Sequence, residues 1–354
     1  MTKKSKSRVR YFSAFSGIGG FELGIQYALS TSKGEKQRGN KVTRAMHGKQ
    51  PMASECVGYS EIDTFADKIY KAHFPTHKNY GDITKIKTEE LPDFDLLVGG
   101  FPCQSFSIAG KRGGFSDTRG TLFFELARLL KDKKPRLFVF ENVKGLLSHE
   151  GGKTFTTIIT TLDELGYDCQ WQVLNSKYHG VPQNRERVII IGHLRETSRP
   201  QVFPFREDSE EVTERGVYTG TLTGRYPASQ REGTYIEENG HRSGEIEKVN
   251  NPTHSNNRVY KKEGIGPALN TMQGGNRQPK IKEGLRVRRL TPVECERLQG
   301  FPDGWTERGH WIDTDKKGMP YTRLAMISDS QRYKSLGNAV TVNVIKAVME
   351  KLLQ

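Results

Sequence analysis

The stretch VRYFSAFSGIGGFELG, residues 9–24, joins two sequence patterns. Its first half is a short apolar run, which predicts a strand, and its second half is predicted to open a helix. Gly17, Gly19 and Gly20 lie between the two, where glycines allow the backbone to approach a ligand at a helix N-terminus. Their spacing differs from the G-x-G-x-x-G motif, which disfavours NAD. The stretch therefore predicts an α/β fold with a nucleotide-like ligand at this loop.

The same alternation of strands and helices continues to about residue 193. Further strands are predicted at 55–60, 94–100, 136–141, 167–175 and 187–193, and helices at 21–29, 64–73, 122–130 and 155–165. This order is typical of a parallel sheet flanked by helices.

The composition and periodicity of the sequence change after Leu194. Residues 195–285 are rich in Gly, Thr, Asn, Arg and Glu without sustained periodicity, which indicates a second, loop-rich unit. Regular structure returns at Leu290, where Thr291 is predicted to cap a helix that begins with Pro292. A last helix is predicted from about 338 to 352.

The composition narrows the function classes. The 354 residues carry 55 Lys and Arg against 41 Asp and Glu, a net charge of +14, which favours a polyanionic partner such as nucleic acid. The plainer alternative is that the charge only keeps the protein in solution. No apolar run reaches the roughly 20 residues of a membrane span, and the basic N-terminus lacks a signal-peptide core, so we expect a cytoplasmic protein.

The four cysteines lie far apart, without a C-x-x-C pair. This spacing predicts reduced thiols and no structural metal. Cys103, in GFPCQSFSIAG (100–110), differs from the others because it follows directly after a predicted strand, at the sheet edge where doubly wound folds place ligands. We expect it to be a nucleophile, with Arg185 and Arg187 as cations that could lower its pKa. The alternative is a small buried apolar residue, which is what we expect of the other three: Cys56, Cys169 and Cys295.

Three acidic residues are further candidates, of which Glu61 and Glu141 lie at the ends of predicted strands and Asp82 lies in the stretch GDIT. Glu61 is placed to bind a ribose diol, Asp82 to accept a hydrogen bond from an adenine amine, and Glu141 to protonate or hydrogen-bond a substrate. Taken singly, each could equally be a helix cap or a solvated side chain.

Taken together, these motifs resemble those of the C5-cytosine DNA methyltransferases. The resemblance covers residues from about 8 to 194 and from 289 to the C-terminus, in family order. Its motifs are FSGIGGFELG, YSEID, GDIT, GGFPCQSFSIAG, DTRGTLFFE, FENV, VPQNRERV, RRLTPVECERLQGFP and GNAVTVNV. The DPPY-like motif of exocyclic amino methyltransferases is absent, so the resemblance implies a ring carbon as methyl acceptor.

The resemblance implies a Rossmann-like S-adenosylmethionine-dependent methyltransferase sheet with a smaller target-recognition domain. The implied boundaries are 8–194 for the catalytic domain, 195–288 for the loop-rich recognition domain and 289–354 for a segment that returns to the catalytic domain. S-adenosylmethionine is the implied methyl donor, S-adenosylhomocysteine the product, and no metal takes part. The implied cofactor contacts are Phe15, Gly17, Ile18, Gly19, Gly20, Glu61, Ile62, Asp82, Ile83, Leu122 and Asn338.

The family mechanism assigns a role to each remaining motif residue. Cys103 adds to C6 of a cytosine that is rotated out of the duplex, and Glu141 engages the N3 and amino edge. Arg187 holds the base and supports Glu141, Arg185 lies close to Cys103, and Pro102 contacts the base. The catalytic loop corresponds to residues 104–120, and Ala109 stands where some members have a serine.

The resemblance also implies partners. We expect a monomer that acts on a short specific sequence in double-stranded DNA, nucleoid-associated when DNA-bound, with a separate restriction endonuclease as partner or, alternatively, none. Two rivals remain: methylation of a tRNA cytosine, and a non-catalytic DNA-binding protein on the same fold. Neither the target sequence nor the role of the basic 30–50 segment, a solvated loop or a DNA contact, follows from the sequence.

Overall fold

The computed structural model describes residues 8–31, 54–102, 122–197, 200–205, 219–222, 259–261, 266–269, 271, 279–283, 286–315 and 317–353. Several sequence predictions lie outside these residues. They are Cys103, the 104–120 loop with Ala109, most of the basic 30–50 segment and most of the recognition domain.

Within the described residues, seven strands form one sheet in the order β2, β1, β3, β4, β7, β5, β8. Their bounds are Val9–Ala14 for β1, Ser54–Ser60 for β2, Leu96–Gly100 for β3, Leu137–Val143 for β4, Tyr167–Asn175 for β5, Glu186–Leu194 for β7 and Thr219–Leu222 for β8. The short β6 spans Gln183–Asn184 and pairs with β10, Gly266–Pro267. The predicted α/β fold is confirmed.

Two strands of the sheet differ from the predicted parallel arrangement, since the edge strand β8 is antiparallel to β5 and β7 is antiparallel as well. β1 to β4 run parallel, whereas β7 runs antiparallel to both of its neighbours, β4 and β5. The link from β5 to β7 contains one turn of 3₁₀-helix and β6, and no α-helix. A parallel neighbour needs a long crossover connection, so this short link returns the chain in the opposite direction.

The sheet is covered on both faces, which is why its central strands are almost continuously apolar. Phe12 and Ala14 of β1 point to one face and pack in a core cluster with α3, Leu122–Lys133, and α4, Lys153–Glu164. Tyr11 points to the other face, where α1, Gly20–Thr31, packs beside the C-terminal helix α7, Val342–Leu352. The central strands are therefore packed between helices on both faces of the sheet.

A third core cluster joins the side of the sheet formed by β1 and β2 to the C-terminal segment. It contains α2, Thr64–His73, α5, Pro292–Gln299, and α6, Asp329–Asn338. The predicted cap of α5 is confirmed, since Thr291 Oγ1 accepts a hydrogen bond from Glu294 N and the Glu294 side chain accepts one from Thr291 N.

The predicted last helix is confirmed as α7, but it begins at Val342 instead of about 338, because another helix, α6, ends there. Asn338 ends α6, and residues 339–341 are extended before α7 begins. The break is stabilised by side chains that take up the carbonyls of this turn. Arg185 donates to the carbonyls of Gly337 and Ala339, and Gln299 donates to that of Leu336.

The remaining strands lie outside the large sheet. A hairpin that was not predicted joins β13, Arg308–Thr314, to β14, Pro320–Met326, and packs on α2. β9, Val259–Lys261, β11, Lys280–Glu283, and β12, Arg286–Arg289, form a small sheet in the predicted recognition domain. Residues 202–203 and β8, also assigned to that domain, pack on or extend the large sheet, and the domain boundaries stay a prediction.

Candidate active site

The loop after β1 has the backbone conformation that its glycines allow. Gly17 and Gly19 have φ values of 56° and 88°, in the left-handed region that favours glycine. Phe15, with φ of 53°, also lies there although it has a side chain. A Cβ atom added at Gly17 would meet nothing within 4 Å. Gly17 therefore leaves open space on the side of the loop where the sequence predicts a ligand.

The other two glycines of this loop are required by packing. A Cβ atom at Gly19 would lie 2.6 Å from the ring of Phe74, and one at Gly20 would lie 2.7 Å from Cγ2 of Val340. Val340 belongs to the extended segment between α6 and α7, so the C-terminal segment presses directly on the first loop.

Glu61 binds the glycine loop through its carboxylate. Oε2 accepts a hydrogen bond from Gly17 N at 2.8 Å, and Oε1 accepts one from Asp63 N at 2.7 Å. Burial raises the pKa of Glu61, and the two backbone amides oppose that shift. A carboxylate has about four acceptor positions, so acceptor capacity remains for a diol.

The predicted adenine contacts differ in exposure. The side chain of Ile62 is 72% exposed, next to Glu61. Asp82 caps a short 3₁₀ turn by accepting from Thr84 N at 3.0 Å, and the hydrogen bonds from Thr84 lower its pKa. Leu122 begins α3 and is half-buried, whereas Asn338 is exposed at the end of α6.

Two further predicted contacts have side chains that face away from such a ligand. Ile18 and Ile83 are 0% and 2% exposed and pack in the core. The Ile18 carbonyl also accepts a hydrogen bond from Trp305 Nε1 at 2.9 Å. Only the remaining backbone atoms of these two residues could reach a ligand.

Together, the loop ends fit the chemistry of an adenosine-containing ligand. Glu61 and Asp82 supply acceptors for hydroxyl and amine groups, Ile62 supplies an exposed apolar surface, and Gly17 leaves room. Ser16 in the same loop is 5% exposed, and its Oγ has no hydrogen-bond partner among the described residues.

The second half of the site begins where β3 ends. Phe101 is buried and its carbonyl accepts a hydrogen bond from Asn142 Nδ2 at 2.9 Å, while Pro102 is exposed. Asn142 directly follows Glu141, so one strand carries both the acid and the anchor of the segment that leads to Cys103. Asn142 was not predicted as a functional residue, and its position directly after a strand-end acid was the available signal.

Glu141 and Arg187 lie together on one face of the sheet. Arg187 Nε is 2.9 Å from Glu141 Oε1, and both side chains are largely buried. The contact lacks the direction of a hydrogen bond, and Glu141 Oε1 has no hydrogen-bond partner among the described residues. A Cβ atom at Gly100 would lie 3.2 Å from Glu141 Oε2, so the glycine leaves room for the carboxylate.

Arg185 has a different environment from Arg187. Its guanidinium is buried and donates to the backbone carbonyls of Leu269, Gly337 and Ala339 at 2.8 to 3.3 Å. Burial lowers its pKa, and the nearby charge of Arg187 lowers it further. Arg185 thus connects the end of the sheet to the C-terminal segment and to residue 269. Its predicted effect on Cys103 stays a prediction.

The remaining cysteines are not nucleophile candidates. Cys169 and Cys295 are buried and Cys56 is partly buried. Burial raises the pKa of all three thiols, that of Cys56 to about 12. Among the residues that the structure describes, no group of three or more His, Cys, Asp or Glu side chains is arranged to hold a metal ion. Nor does any helix in this part of the chain have the length and apolar character to cross a bilayer.

Comparisons with known proteins identify the family of the chain. The family model described as C-5 cytosine-specific DNA methylase matches residues 9–354. The type II methyltransferase M1.ScrFI of Lactococcus lactis subsp. cremoris is 36% identical over 99% of this chain and 79% of its own length, and M.SsoII of Shigella sonnei is 35% identical over 98% and 80%. The crystal structure of the S. pombe Dnmt2 methyltransferase has a TM-score of 0.62 at 18% identity and covers 98% of both chains, which shows a shared fold. The chain belongs to the family of C-5 cytosine-specific DNA methylases.

Proposed function

We propose that this protein methylates C5 of a cytosine that is rotated out of a short specific sequence in double-stranded DNA, with Cys103 as the nucleophile. The observation that carries the proposal is the Glu141 and Arg187 pair at 2.9 Å, next to Gly100 at the end of the strand that leads to Cys103. An acid in this position faces the edge of a base that enters over the sheet. Arg187 keeps that acid oriented.

Cytosine C5 is a weak nucleophile, and covalent addition solves this problem. The Cys103 thiolate forms a bond to C6 as the C5–C6 double bond opens, while Glu141 in its acid form gives a proton to N3 and accepts a hydrogen bond from the amino group, so that electron density moves to C5. After C5 has gained the methyl group, the C5 proton passes to water, the N3 proton returns to Glu141, and departure of the Cys103 thiolate restores the aromatic ring. The products are 5-methylcytosine in DNA and S-adenosylhomocysteine.

S-adenosylmethionine supplies the methyl group when it is bound. Glu61 would bind the ribose hydroxyls, Asp82 and Ile62 the adenine, and Phe15 and the glycine loop the methionine side of the ligand. Leu122 begins α3 and Asn338 ends α6, and both would complete the same site.

The DNA substrate is supported by the family and by the charge of the chain. A net charge of +14 suits binding to phosphates. Relatives that include M1.ScrFI and M.SsoII are named type II methyltransferases, and a less similar relative, 29% identical over 98% of the chain, is named an orphan methyltransferase of a Bacillus phage. This order of similarity favours a DNA modification enzyme of a restriction–modification system over an orphan enzyme and over a tRNA methyltransferase. We place its action on nucleoid DNA in the cytoplasm, as a monomer, with a cognate endonuclease that acts separately.

The proposal is tested by mapping 5-methylcytosine in DNA from a methylation-free bacterial host that expresses this chain. We expect one short motif to be methylated, and no methylation with Cys103→Ala. Methylated DNA from the Cys103→Ala strain would overturn the mechanism. Unmethylated DNA despite folded wild-type protein would overturn the DNA substrate, and tRNA would then be the next acceptor to assay.

A further inference from the structure

The side chain of Asn79 lies between the two loops that carry Glu61 and Asp82. Its Oδ1 accepts hydrogen bonds from Glu61 N at 3.2 Å and Gly81 N at 2.8 Å. Its Nδ2 donates to the Glu61 carbonyl at 3.0 Å and to Asp67 Oδ1 at 2.8 Å. One amide side chain thus makes two accepted and two donated hydrogen bonds.

This network fixes the orientation of the amide. Oδ1 faces two N–H groups, and Nδ2 faces a carbonyl and a carboxylate, so exchanging the two atoms would place like groups together. Asp67 is itself held, because Oδ1 accepts from Tyr59 OH at 2.6 Å and Oδ2 accepts from Lys71 Nζ at 3.0 Å. The amide is therefore anchored to the body of the domain through α2.

Both ends of the network lead to predicted ligand contacts. Asn79 holds the backbone N–H and the carbonyl of Glu61, whose carboxylate binds the glycine loop. Gly81, which immediately precedes Asp82, is held by Asn79 and also by Ser60, whose Oγ donates to the Gly81 carbonyl at 2.6 Å. Gly81 has φ of 71°, a conformation that needs this support.

We propose that Asn79 is a positioning residue for the methyl donor, and that it sets the separation between the ribose acceptor Glu61 and the adenine acceptor Asp82. The inference rests on the proposed function. Asn79 acts through these two residues and need not touch the ligand. Hydrogen bonds that order the two loops before binding reduce the entropy lost when the ligand binds.

The test compares wild type, Asn79→Ala and Gln172→Ala. Gln172 is a matched control because its buried amide also pins a backbone segment, accepting from Phe205 N at 2.8 Å and donating to the Phe205 carbonyl at 3.1 Å, but on β5. The Kd of S-adenosylmethionine is measured by calorimetry, and hydrogen exchange of the peptides that contain Glu61 and Gly81 is followed without ligand. Steady-state assays supply KM for S-adenosylmethionine and kcat.

We expect Asn79→Ala to raise Kd and KM for S-adenosylmethionine about tenfold, as the loss of one or two net hydrogen bonds implies, with kcat retained at saturation. The Glu61 and Gly81 amides should exchange faster, and Gln172→Ala should leave Kd unchanged. An Asn79→Ala protein with wild-type Kd, or equal losses in both variants, would overturn the inference. If wild type itself fails to bind S-adenosylmethionine, the proposed function fails with it. Should Asn79→Ala not fold, Asn79→Asp keeps the two accepted hydrogen bonds, replaces the two donated ones by repulsion from the Glu61 carbonyl and the Asp67 carboxylate, and must still weaken binding.

Discussion

The two halves of the site are built in different ways. On the cofactor side, both carboxylate oxygens of Glu61 accept backbone amides, and Asn79 connects the neighbouring loops. On the base side, Glu141 Oε1 and Arg185 Nε lack hydrogen-bond partners within the described residues, although both are buried. The Glu61 side of the site is thus tied together by hydrogen bonds within the protein, apart from the unpartnered Ser16 Oγ, whereas Glu141 Oε1 has no such bond among the described residues and is available to the proposed substrate. This difference implies that the two halves can be impaired separately.

The largest effect is expected from Glu141→Gln, which keeps the shape of the side chain and removes the charge that faces Arg187. General acid–base groups contribute about 10²- to 10⁴-fold, so we expect the methyl-transfer rate to fall by about that factor. The Kd of S-adenosylmethionine should not change. Single-turnover rates and calorimetry measure the two quantities.

The matched control is Glu186→Gln on the adjacent strand. The Glu186 carboxylate is half-exposed and pairs with Lys144 at 3.2 Å, and only its backbone carbonyl contacts Arg187. The methyl-transfer rate of Glu186→Gln should equal that of wild type. If Glu141→Gln abolished S-adenosylmethionine binding as well, the two halves would not be separable.

The second prediction concerns Glu22, which lies on the first turn of α1 behind the glycine loop. It is 0% exposed, its Oε2 has no hydrogen-bond partner among the described residues, and burial raises its pKa from 4.5 to about 7. Between pH 4.5 and pH 7, the Glu22 carboxyl keeps its proton in the folded state and has lost it in the unfolded state. The free energy of unfolding should therefore decrease as pH rises from 4.5 to 7 and level off above 7.

Glu22→Gln removes this titration while keeping an acceptor for Tyr70 OH, which lies 3.1 Å from Glu22 Oε1. Urea unfolding at pH 5 and pH 8 should show wild type losing about 2 to 3 kcal/mol more than the variant between these pH values. Equal losses in the two proteins would mean that Glu22 is not protonated in the folded state.

The third prediction concerns Glu61→Gln, which should lower the affinity for S-adenosylmethionine about ten- to a hundredfold. Hydrogen bonds to charged groups contribute about 1.5 to 3 kcal/mol, and the substitution removes the charge. The substitution weakens both the contact with Gly17 N and the predicted contact with ribose. KM for S-adenosylmethionine should rise and kcat at saturation should remain. Glu55→Gln, which breaks the exposed pair with Arg8, is the control and should bind normally. A fall in kcat with unchanged KM for S-adenosylmethionine would contradict the proposal that Glu61 binds the methyl donor.

The smallest effect is expected from Gly100→Ala. Its Cβ would lie 3.2 Å from Glu141 Oε2, so the carboxylate must move by a few tenths of an ångström. We expect kcat to fall about three- to tenfold, since small displacements of a reacting group carry costs of this order. S-adenosylmethionine affinity should stay the same. A variant with wild-type kcat would show that the position of the Glu141 carboxylate tolerates this shift.

Local patterns predicted much of the fold and many of the site residues. The apolar runs predicted β1 to β5 and β7, and residue type at strand ends singled out Glu61 and Glu141, because these features depend on neighbours within a few positions. Asp82 was singled out by the short stretch GDIT. The capping motif at Thr291 is local in the same sense.

Features that depend on distant contacts were missed. The break between α6 and α7 requires Arg185, about 150 positions earlier, and the anchor from Asn142 to Phe101 spans 41 positions. The direction of β7 depends on which strands it joins. A single sequence carries no pattern for such pairings, and the same holds for the role of Asn79.

The most direct test of the account is covalent trapping on a duplex that carries 5-fluorocytosine at the mapped target position. Fluorine at C5 cannot leave as the proton does, so a Cys103 adduct to C6 should persist after methyl transfer. The account predicts a complex of wild type with this DNA that survives denaturation, requires S-adenosylmethionine and is absent with Cys103→Ser, with the bond assigned to Cys103 by peptide mass spectrometry. A stable complex with Cys103→Ser, or an adduct at another residue, would contradict it.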